Sequence, residues 1–167
     1  MSEIIALSEA MREVLRLAEL VAPREANVLI TGESGTGKDA LARHIHDHSK
    51  RGGAGDYVKI DCAALPAELL EAELFGYERG AFTGAIGQKP GRLEAAHKGT
   101  LVLDEVAHLS FDAQAKLLRV IEAREFERLG GSRTVKVDAR LIALTNVDLS
   151  SAVRRRAFRE DLFTGST

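Results

Sequence analysis

Residues 32–39, GESGTGKD, have the types and spacing of a phosphate-binding loop. They follow the pattern Gly-x4-Gly-Lys and lie between a predicted strand and a predicted helix, which is the context this motif requires. The glycines let backbone N–H groups turn towards phosphate oxygens, and Lys38 would contact the outer phosphates. Asp39 stands where such loops usually carry Ser or Thr, so a carboxylate would meet Mg²⁺ directly or through water. The predicted nucleotide-binding residues are Gly32, Glu33, Ser34, Gly35, Thr36, Gly37, Lys38 and Asp39.

A second group of residues suited to chemistry ends the apolar run TLVLD, where Asp104 is followed by Glu105. Ligands bind at the carboxyl ends of strands in open parallel sheets, so both carboxylates are expected near the bound phosphates. Asp104 is suited to hold Mg²⁺ or its waters, and Glu105 to orient or deprotonate an attacking water. Taken alone, an acidic pair at a strand end is as often a solvated loop start. Its place two strands after a phosphate-binding loop favours the catalytic interpretation.

Two further polar residues follow the run RLIAL, where Thr145 and Asn146 end another predicted strand. One of them would be placed to contact a terminal phosphate or its water. Turn capping is the alternative for Asn146, and the residue type alone favours capping slightly.

A chain in which helix and strand alternate must position these residues. Apolar runs predict the strands, and apolar residues at helical spacing, with candidate caps at Ser8 and Ser110, predict the helices. For 167 residues this indicates one α/β domain with a mainly parallel sheet and helices on both faces. Segments on either side of Gly130 and Gly131 predict a hairpin. The strands are predicted at residues 27–31, 57–61, 100–104 and 139–145, and the helices at residues 8–23, 38–49, 66–76 and 110–123.

The composition excludes several classes of protein. The 23 Lys and Arg residues against 25 Asp and Glu give a formal net charge of −2, so no overall basic field indicates a nucleic-acid binder. The sequence contains neither the run of about 18 apolar residues that a membrane span needs nor a secretory signal. The one cysteine, Cys62, cannot form an internal disulfide and is expected to be buried. A cytoplasmic location is therefore expected.

Six segments occur in the order found in a known family: GESGTGKD, ELFGYERGAFTGA, GTLVLDEV, LLRVIEAREFERLGG, RLIALTNVDL and FREDLF. Over about residues 5–163 the chain resembles the AAA+ ATPase domain of bacterial enhancer-binding proteins, the activators of sigma-54 RNA polymerase. The resemblance implies a three-layer P-loop NTPase fold, with ATP and Mg²⁺ as cofactors. It implies that Lys38 belongs to Walker A, Asp104 and Glu105 to Walker B, and Asn146 to the first sensor, and that Arg159 is an arginine finger. It further implies a ring, usually a hexamer, whose partners are sigma-54 and the RNA polymerase holoenzyme.

The most specific of these segments is GAFTGA, which consists of Gly80, Ala81, Phe82, Thr83, Gly84 and Ala85. In the family this loop engages the sigma factor, and ATP turnover moves it to remodel the closed promoter complex. The resemblance therefore implies an exposed Phe82 that anchors sigma-54, beside a second surface loop in the predicted hairpin. Without the resemblance, large apolar residues are more often buried, and Phe82 would be expected to pack into its own domain.

Other features depart from the family's pattern or have simpler explanations. Asp61 stands where the family often has Asn, so an acid there would repel Glu105 if both were charged. Gly165 stands where the family has a second finger arginine. His44 and His48 share a helical face that could chelate a metal, but a solvated helix face is expected for them and for His46. The basic run Arg154, Arg155 and Arg156 is likewise expected to be a solvated face, with contact to a neighbouring subunit as the alternative.

The sequence also predicts which parts of such a protein residues 1–167 contain. They are expected to form a partial AAA+ domain without a helical lid, a receiver domain or a helix-turn-helix domain. The family's fifth strand would be missing beside residues 27–31, which would leave an exposed apolar edge. Two functions are therefore open: an Mg²⁺-dependent ATPase that remodels sigma-54 polymerase, or a nucleotide- or sigma-factor-binding module with little or no ATPase activity.

Overall fold

A computed structural model describes residues 9–33 and 37–165. Its helices are α1 Glu9–Val21, α2 Lys38–Asp47, α3 Ala67–Phe75, α4 Arg92–Ala95, α5 Phe111–Ala123, α6 Leu149–Arg154 and α7 Glu160–Gly165. Its strands are β1 Val28–Thr31, β2 Tyr57–Asp61, β3 Gly76–Tyr77, β4 Lys89–Pro90, β5 Thr100–Asp104, β6 Glu125–Glu127, β7 Thr134–Lys136 and β8 Arg140–Thr145. None of these helices is long and apolar enough to cross a membrane.

The centre of the fold is a four-stranded parallel sheet in the order β1-β8-β5-β2. Side chains alternate across β5 and β8. Leu101 and Leu103 face a core shared with α3, α5, α6 and α7, whereas Val102 and Ile142 face a second core shared with α1 and α2. The predicted parallel sheet with helices on both faces is therefore confirmed. β1 lies at one edge of this sheet, and no helical lid follows α7 within the described residues.

The predicted helix boundaries depend on local caps. Ser110 caps α5 as expected, because its Oγ accepts a hydrogen bond from the N–H of Ala113 at 3.1 Å. Pro66 immediately precedes α3, and Gly76 ends that helix with a positive φ of 75°. Ser8, the predicted cap of α1, lies outside the described residues.

Two antiparallel strand pairs stand apart from the central sheet. The predicted hairpin is confirmed, with Phe126 of β6 opposite Val135 of β7. The pairing of β3 with β4 was not predicted, since strands of two residues carry no readable alternation. Gly76 lies opposite Pro90, so the GAFTGA segment lies on a loop, residues 78–88, that closes on a short two-stranded base.

The expected solvated face of α2 is wrong for two of its three histidines. His46 is buried, and its Nδ1 lies 2.8 Å from the hydroxyl of Thr100 in β5. The His44 side chain is largely covered, and its ring lies 4.0 Å from the ring of exposed His48. The reason is that the buried face of α2 includes His46 as well as the apolar residues Leu41, Ala42 and Ile45. The basic run 154–156 is exposed, as expected.

Candidate functional site

The parallel sheet brings the predicted site residues to one edge. Thr31 at the end of β1 is the register partner of Thr145 at the end of β8, and the N–H of Gly32 donates to the carbonyl oxygen of Thr145 at 3.2 Å. On the other side of β5, Asp61 is the register partner of Asp104. Carboxyl ends of parallel strands are where open α/β sheets bind ligands, so this edge is the candidate site.

The segment predicted to bind phosphate leads from β1 into α2. Gly37 precedes α2 with a φ of 87°, a conformation that favours glycine. Lys38 is the first residue of α2, and its Nζ donates to the carbonyl oxygens of Gly32 at 2.6 Å and Glu33 at 3.0 Å. The ammonium thus contacts the two residues with which the predicted phosphate-binding segment begins. Ser34, Gly35 and Thr36 lie outside the described residues.

Glu105 combines two unusual features at the end of β5. Its backbone is left-handed, with φ 55° and ψ 53°, which costs a residue other than glycine about 1–3 kcal/mol. Its Oε2 is buried and has no hydrogen-bond partner within residues 9–33 and 37–165. Buried carboxylate oxygens are normally paired, so an unpaired one is a costly arrangement. Strain and an unpaired oxygen therefore coincide at the residue predicted to activate water.

Asp104 and Asp39 share a basic partner that the sequence analysis missed. The Nζ of Lys59, in β2, lies 2.5 Å from Oδ1 of Asp39 and 3.3 Å from Oδ2 of Asp104. Burial alone would lower the pKa of Lys59, but the hydrogen bond to Asp39 and the charges of both carboxylates outweigh it and raise the pKa. The signal in the sequence was the strand YVKID, because residues 59 and 61 point to the same face.

The environment of Cys62 shows how acidic this edge is. Cys62 is buried as expected. Burial, reinforced by the charges of Asp61, Asp104 and Glu105, raises the pKa of its thiol to about 12. The Asp61 carboxylate is exposed and accepts a hydrogen bond from the N–H of Ala63 at 3.0 Å. Cys62 is therefore a neutral core residue, and Asp61 caps the turn that follows β2.

After β8, the side chains of Thr145 and Asp148 each accept a hydrogen bond from a backbone N–H group. Thr145 is buried, and its Oγ1 accepts a hydrogen bond from the N–H of Val147 at 3.1 Å. Asp148 caps α6 by accepting from the N–H of Ser150 at 3.1 Å. Turn capping, the alternative offered for Asn146, is thus performed by its neighbours, and the Asn146 side chain is exposed at the site edge.

Within the described residues, Arg159 forms its ion pair with Asp161 and not with a strand-end carboxylate. Its guanidinium forms a two-pronged ion pair with Asp161, at 3.0 and 2.8 Å, and lies 5.7 Å from the centre of the Phe111 ring. Its backbone N–H donates to Oε1 of Gln114 at 2.7 Å. Gln114 is fully buried in α5, and its Nε2 donates to the carbonyl oxygens of Leu109 and Ala157. This amide, also missed in the sequence, joins the turn after Glu105 to the segment that carries Arg159.

The GAFTGA loop presents an apolar tip. Phe82 is 42% exposed, its ring edge packs on Tyr77 at 4.9 Å, and Ile86 is 90% exposed. The N–H of Ala85 donates to the carbonyl oxygen of Phe82 at 3.0 Å, which closes a turn whose third residue, Gly84, has a φ of 98°. Only glycine adopts that conformation without strain. The loop is thus a folded turn that leaves much of Phe82 in solvent.

The base of this loop is bound to the β6–β7 hairpin. The N–H of Glu78 donates to the carbonyl oxygen of Leu129 at 2.9 Å, and the N–H of Leu129 donates to that of Gly76 at 3.0 Å. A Cβ added at Gly130 would lie 2.7 Å from Ala81, so the two loops touch.

A largely buried basic side chain strengthens this junction. Arg128, in the hairpin, pairs with Glu94 of α4 at 2.8 Å and with Glu78 at 3.2 Å. The hairpin and the GAFTGA loop therefore form one packed unit.

Comparisons with known proteins agree with this geometry. A family model described as the Sigma-54 interaction domain matches residues 4–165. The Nif-specific regulatory protein of Rhizobium leguminosarum bv. trifolii is 54% identical over 162 residues, which are 97% of this chain and 46% of that protein. The chain spans less than half the length of the curated relatives it matches.

The chain is also similar to solved structures. NtrX from Brucella abortus, in complex with ATP, is 42% identical with a TM-score of 0.88, and the match covers 97% of this chain and 34% of that one. The P-loop NTPase domain of the sigma-54 transport activator from E. coli has a TM-score of 0.60 at 20% identity, covering 89% of this chain and 97% of that one, which is a likeness of fold. The chain belongs to the Sigma-54 interaction domain family, with the fold of a P-loop NTPase.

Proposed function

We propose that this chain binds and hydrolyses ATP and uses the turnover to move the GAFTGA loop against sigma-54. The observation that carries the proposal is Glu105, whose strained backbone and unpaired buried oxygen lie at the end of β5. Strain and unsatisfied polar groups persist at functional sites because they serve the mechanism. The ATP complex of the related NtrX supports nucleotide as the ligand of this edge.

The residues at this edge fit separate roles. Lys38 would leave the carbonyl oxygens of its own loop and bind the outer phosphates. The exposed Asn146 would contact the terminal phosphate or its water. Glu105 would hold the attacking water through its unpaired oxygen and accept its proton. Asp104 and Asp39 offer the carboxylate oxygens that Mg²⁺ prefers, and both already contact one cationic nitrogen, that of Lys59. Bound there, Mg²⁺ would neutralise charge on the phosphates.

Two helices connect this edge to the GAFTGA loop. α3 begins shortly after Cys62 and ends at Gly76, where the loop's base begins, while α5 begins shortly after Glu105 and leads into β6. The ring of Phe75, the last residue of α3, packs on the ring of Phe126 in β6, which follows α5, and the two ring centres are 6.1 Å apart. A shift at either strand end would therefore reach the same packed unit. Phe82 would supply the apolar anchor, worth about 1.5–3 kcal/mol if fully buried against sigma-54.

Arg159 is proposed to act in a neighbouring subunit of a ring. Its guanidinium pairs with Asp161 and not with a strand-end carboxylate of its own chain, which is compatible with such a role. To reach a neighbour's phosphates it would exchange Asp161 for a phosphate, since Arg binds both groups with two parallel hydrogen bonds. The ring, sigma-54 and the polymerase are all partners in this proposal.

Phosphate release at high protein concentration tests the enzymatic part. We expect turnover that Lys38→Ala abolishes. Glu105→Ala should stop hydrolysis while ATP binding is retained and the free energy of unfolding stays equal or rises, because the unpaired buried carboxylate is removed. Loss of ATP binding in Glu105→Ala would show a structural role instead. ATP binding without any Lys38-dependent turnover in the wild type would favour a binding module.

A further inference from the structure

Lys59 holds two carboxylates that come from different parts of the site. Asp39 belongs to the first turn of α2, and Asp104 ends β5, yet the Nζ of Lys59 contacts both, at 2.5 and 3.3 Å. No other basic side chain within the described ranges 9–33 and 37–165 forms an ion pair with either carboxylate. Lys38, the other lysine at this edge, donates instead to two backbone carbonyl oxygens.

The arrangement compensates for an unusual residue. A phosphate-binding loop usually has a neutral hydroxyl at the position of Asp39, and here a second negative charge shares the contact of Asp104 with Lys59. Two carboxylates that contact the same nitrogen are close enough to repel each other unless a cation lies between them. The ammonium of Lys59 provides that cation from a side chain that is 37% exposed, so it can withdraw into solvent.

We propose that Lys59 is a built-in counter-ion of the proposed magnesium site, which neutralises Asp39 and Asp104 in the metal-free protein and competes with a divalent cation for their oxygens. The inference rests on the proposed function, since the metal concerned accompanies ATP at this edge. Lys59 is thus a positioning residue that sets the order of binding. It lowers the affinity for free metal and raises the affinity for metal-free nucleotide.

The two effects have opposite signs, and a purely structural role for Lys59 would not produce both. Without Lys59 the two carboxylates are bare, so a divalent cation should bind more tightly. The same bare carboxylates should repel the triphosphate, so ATP without metal should bind more weakly. Each change is expected to be about three- to tenfold, which is typical of one charge acting at a few ångströms in a partly exposed site.

Lys116 gives a matched control. Its side chain is 35% exposed and pairs with Glu71 at 3.6 Å, away from the strand ends. Mn²⁺ prefers the same oxygen ligands as Mg²⁺. Its binding in the absence of nucleotide is measured from the electron paramagnetic resonance signal of the free ion, in wild type, Lys59→Met and Lys116→Met. Binding of ATP with EDTA present is measured in the same proteins. Lys59→Gln repeats both measurements if methionine disturbs β2, and Lys59→Arg should behave like the wild type.

The expected result is tighter Mn²⁺ binding and weaker metal-free ATP binding in Lys59→Met, with Lys116→Met within about twofold of the wild type. Unchanged or weaker Mn²⁺ binding in both Lys59→Met and Lys59→Gln would overturn the inference. A wild type that binds no ATP under any condition would refute the proposed function, whereas the Mn²⁺ measurement would still decide the role of Lys59.

Discussion

Replacing Gln114 with leucine tests the account of how the Arg159 segment is held. The side chain of Gln114 is 0% exposed and makes three hydrogen bonds, to Leu109 at 2.9 Å, Ala157 at 3.2 Å and Arg159 at 2.7 Å. Leucine has a similar size but would leave two carbonyl oxygens and one N–H without these partners. At about 1 kcal/mol for each lost bond the cost is about 3 kcal/mol.

Access of water reduces this magnitude. Ala157 and Arg159 lie near the surface, so water would replace part of what is lost there, whereas Leu109 is buried. The expected loss in the free energy of unfolding is therefore about 2–3 kcal/mol. Gln114→Glu keeps the acceptor for the Arg159 N–H but turns a buried carboxylate oxygen towards two carbonyl oxygens, so it should destabilise the fold at least as much as Gln114→Leu does.

Equilibrium unfolding in urea measures the effect, with Gln88→Leu in the exposed loop as the matched control. We expect the midpoint of Gln114→Leu to fall at constant slope, and that of Gln88→Leu to stay close to the wild type. A loss below about 1 kcal/mol for Gln114→Leu would mean that the three bonds contribute no more than surface contacts and do not hold the Arg159 segment.

Two further predictions concern the loop junction and the buried histidine. Arg128→Met should lower the free energy of unfolding by about 1–3 kcal/mol and speed proteolysis within residues 78–88, since Glu78 and Glu94 lose a largely buried partner; proteolysis at the wild-type rate would contradict this. Burial, with nearby arginines, keeps the pKa of His46 below its ordinary value of 6.5. The unfolded chain therefore binds a proton that the folded chain does not, and stability should fall as the pH drops through about 6.5. Unfolding measured at several pH values should show this loss, and an equally steep loss in His46→Gln would assign it elsewhere.

The sheet and the main chemical residues were predictable because their signals are local. A phosphate-binding loop is a contiguous pattern of glycines and a lysine, and Asp104 and Glu105 follow directly on a buried strand. Strand ends in a parallel sheet meet at one edge, so the proximity of these groups followed from the fold class alone. The hairpin near Gly130 was predictable for the same reason, since alternation and turn residues lie within one short segment.

The missed features depend on contacts between distant segments. Lys59 looks like an ordinary strand residue until β2 is placed beside β5 and α2, and Gln114 looks like one polar position in an amphipathic helix. His46 follows the same logic, because its partner Thr100 is 54 positions away. The strain at Glu105 is a property of the turn after β5, and no residue type at that position announces it.

Binding of sigma-54 to the chain, measured with and without ATP, shows whether the nucleotide site controls the GAFTGA loop. Wild type and Phe82→Ala are compared in the same titration, with ATP affinity measured in parallel. We expect ATP-dependent sigma-54 binding by the wild type and its loss in Phe82→Ala. ATP affinity should be equal in both proteins, because Phe82 lies at an exposed loop tip. Loss of both activities in Phe82→Ala would contradict this expectation by making Phe82 a core residue, and sigma-54 binding that is indifferent to ATP would contradict the coupling.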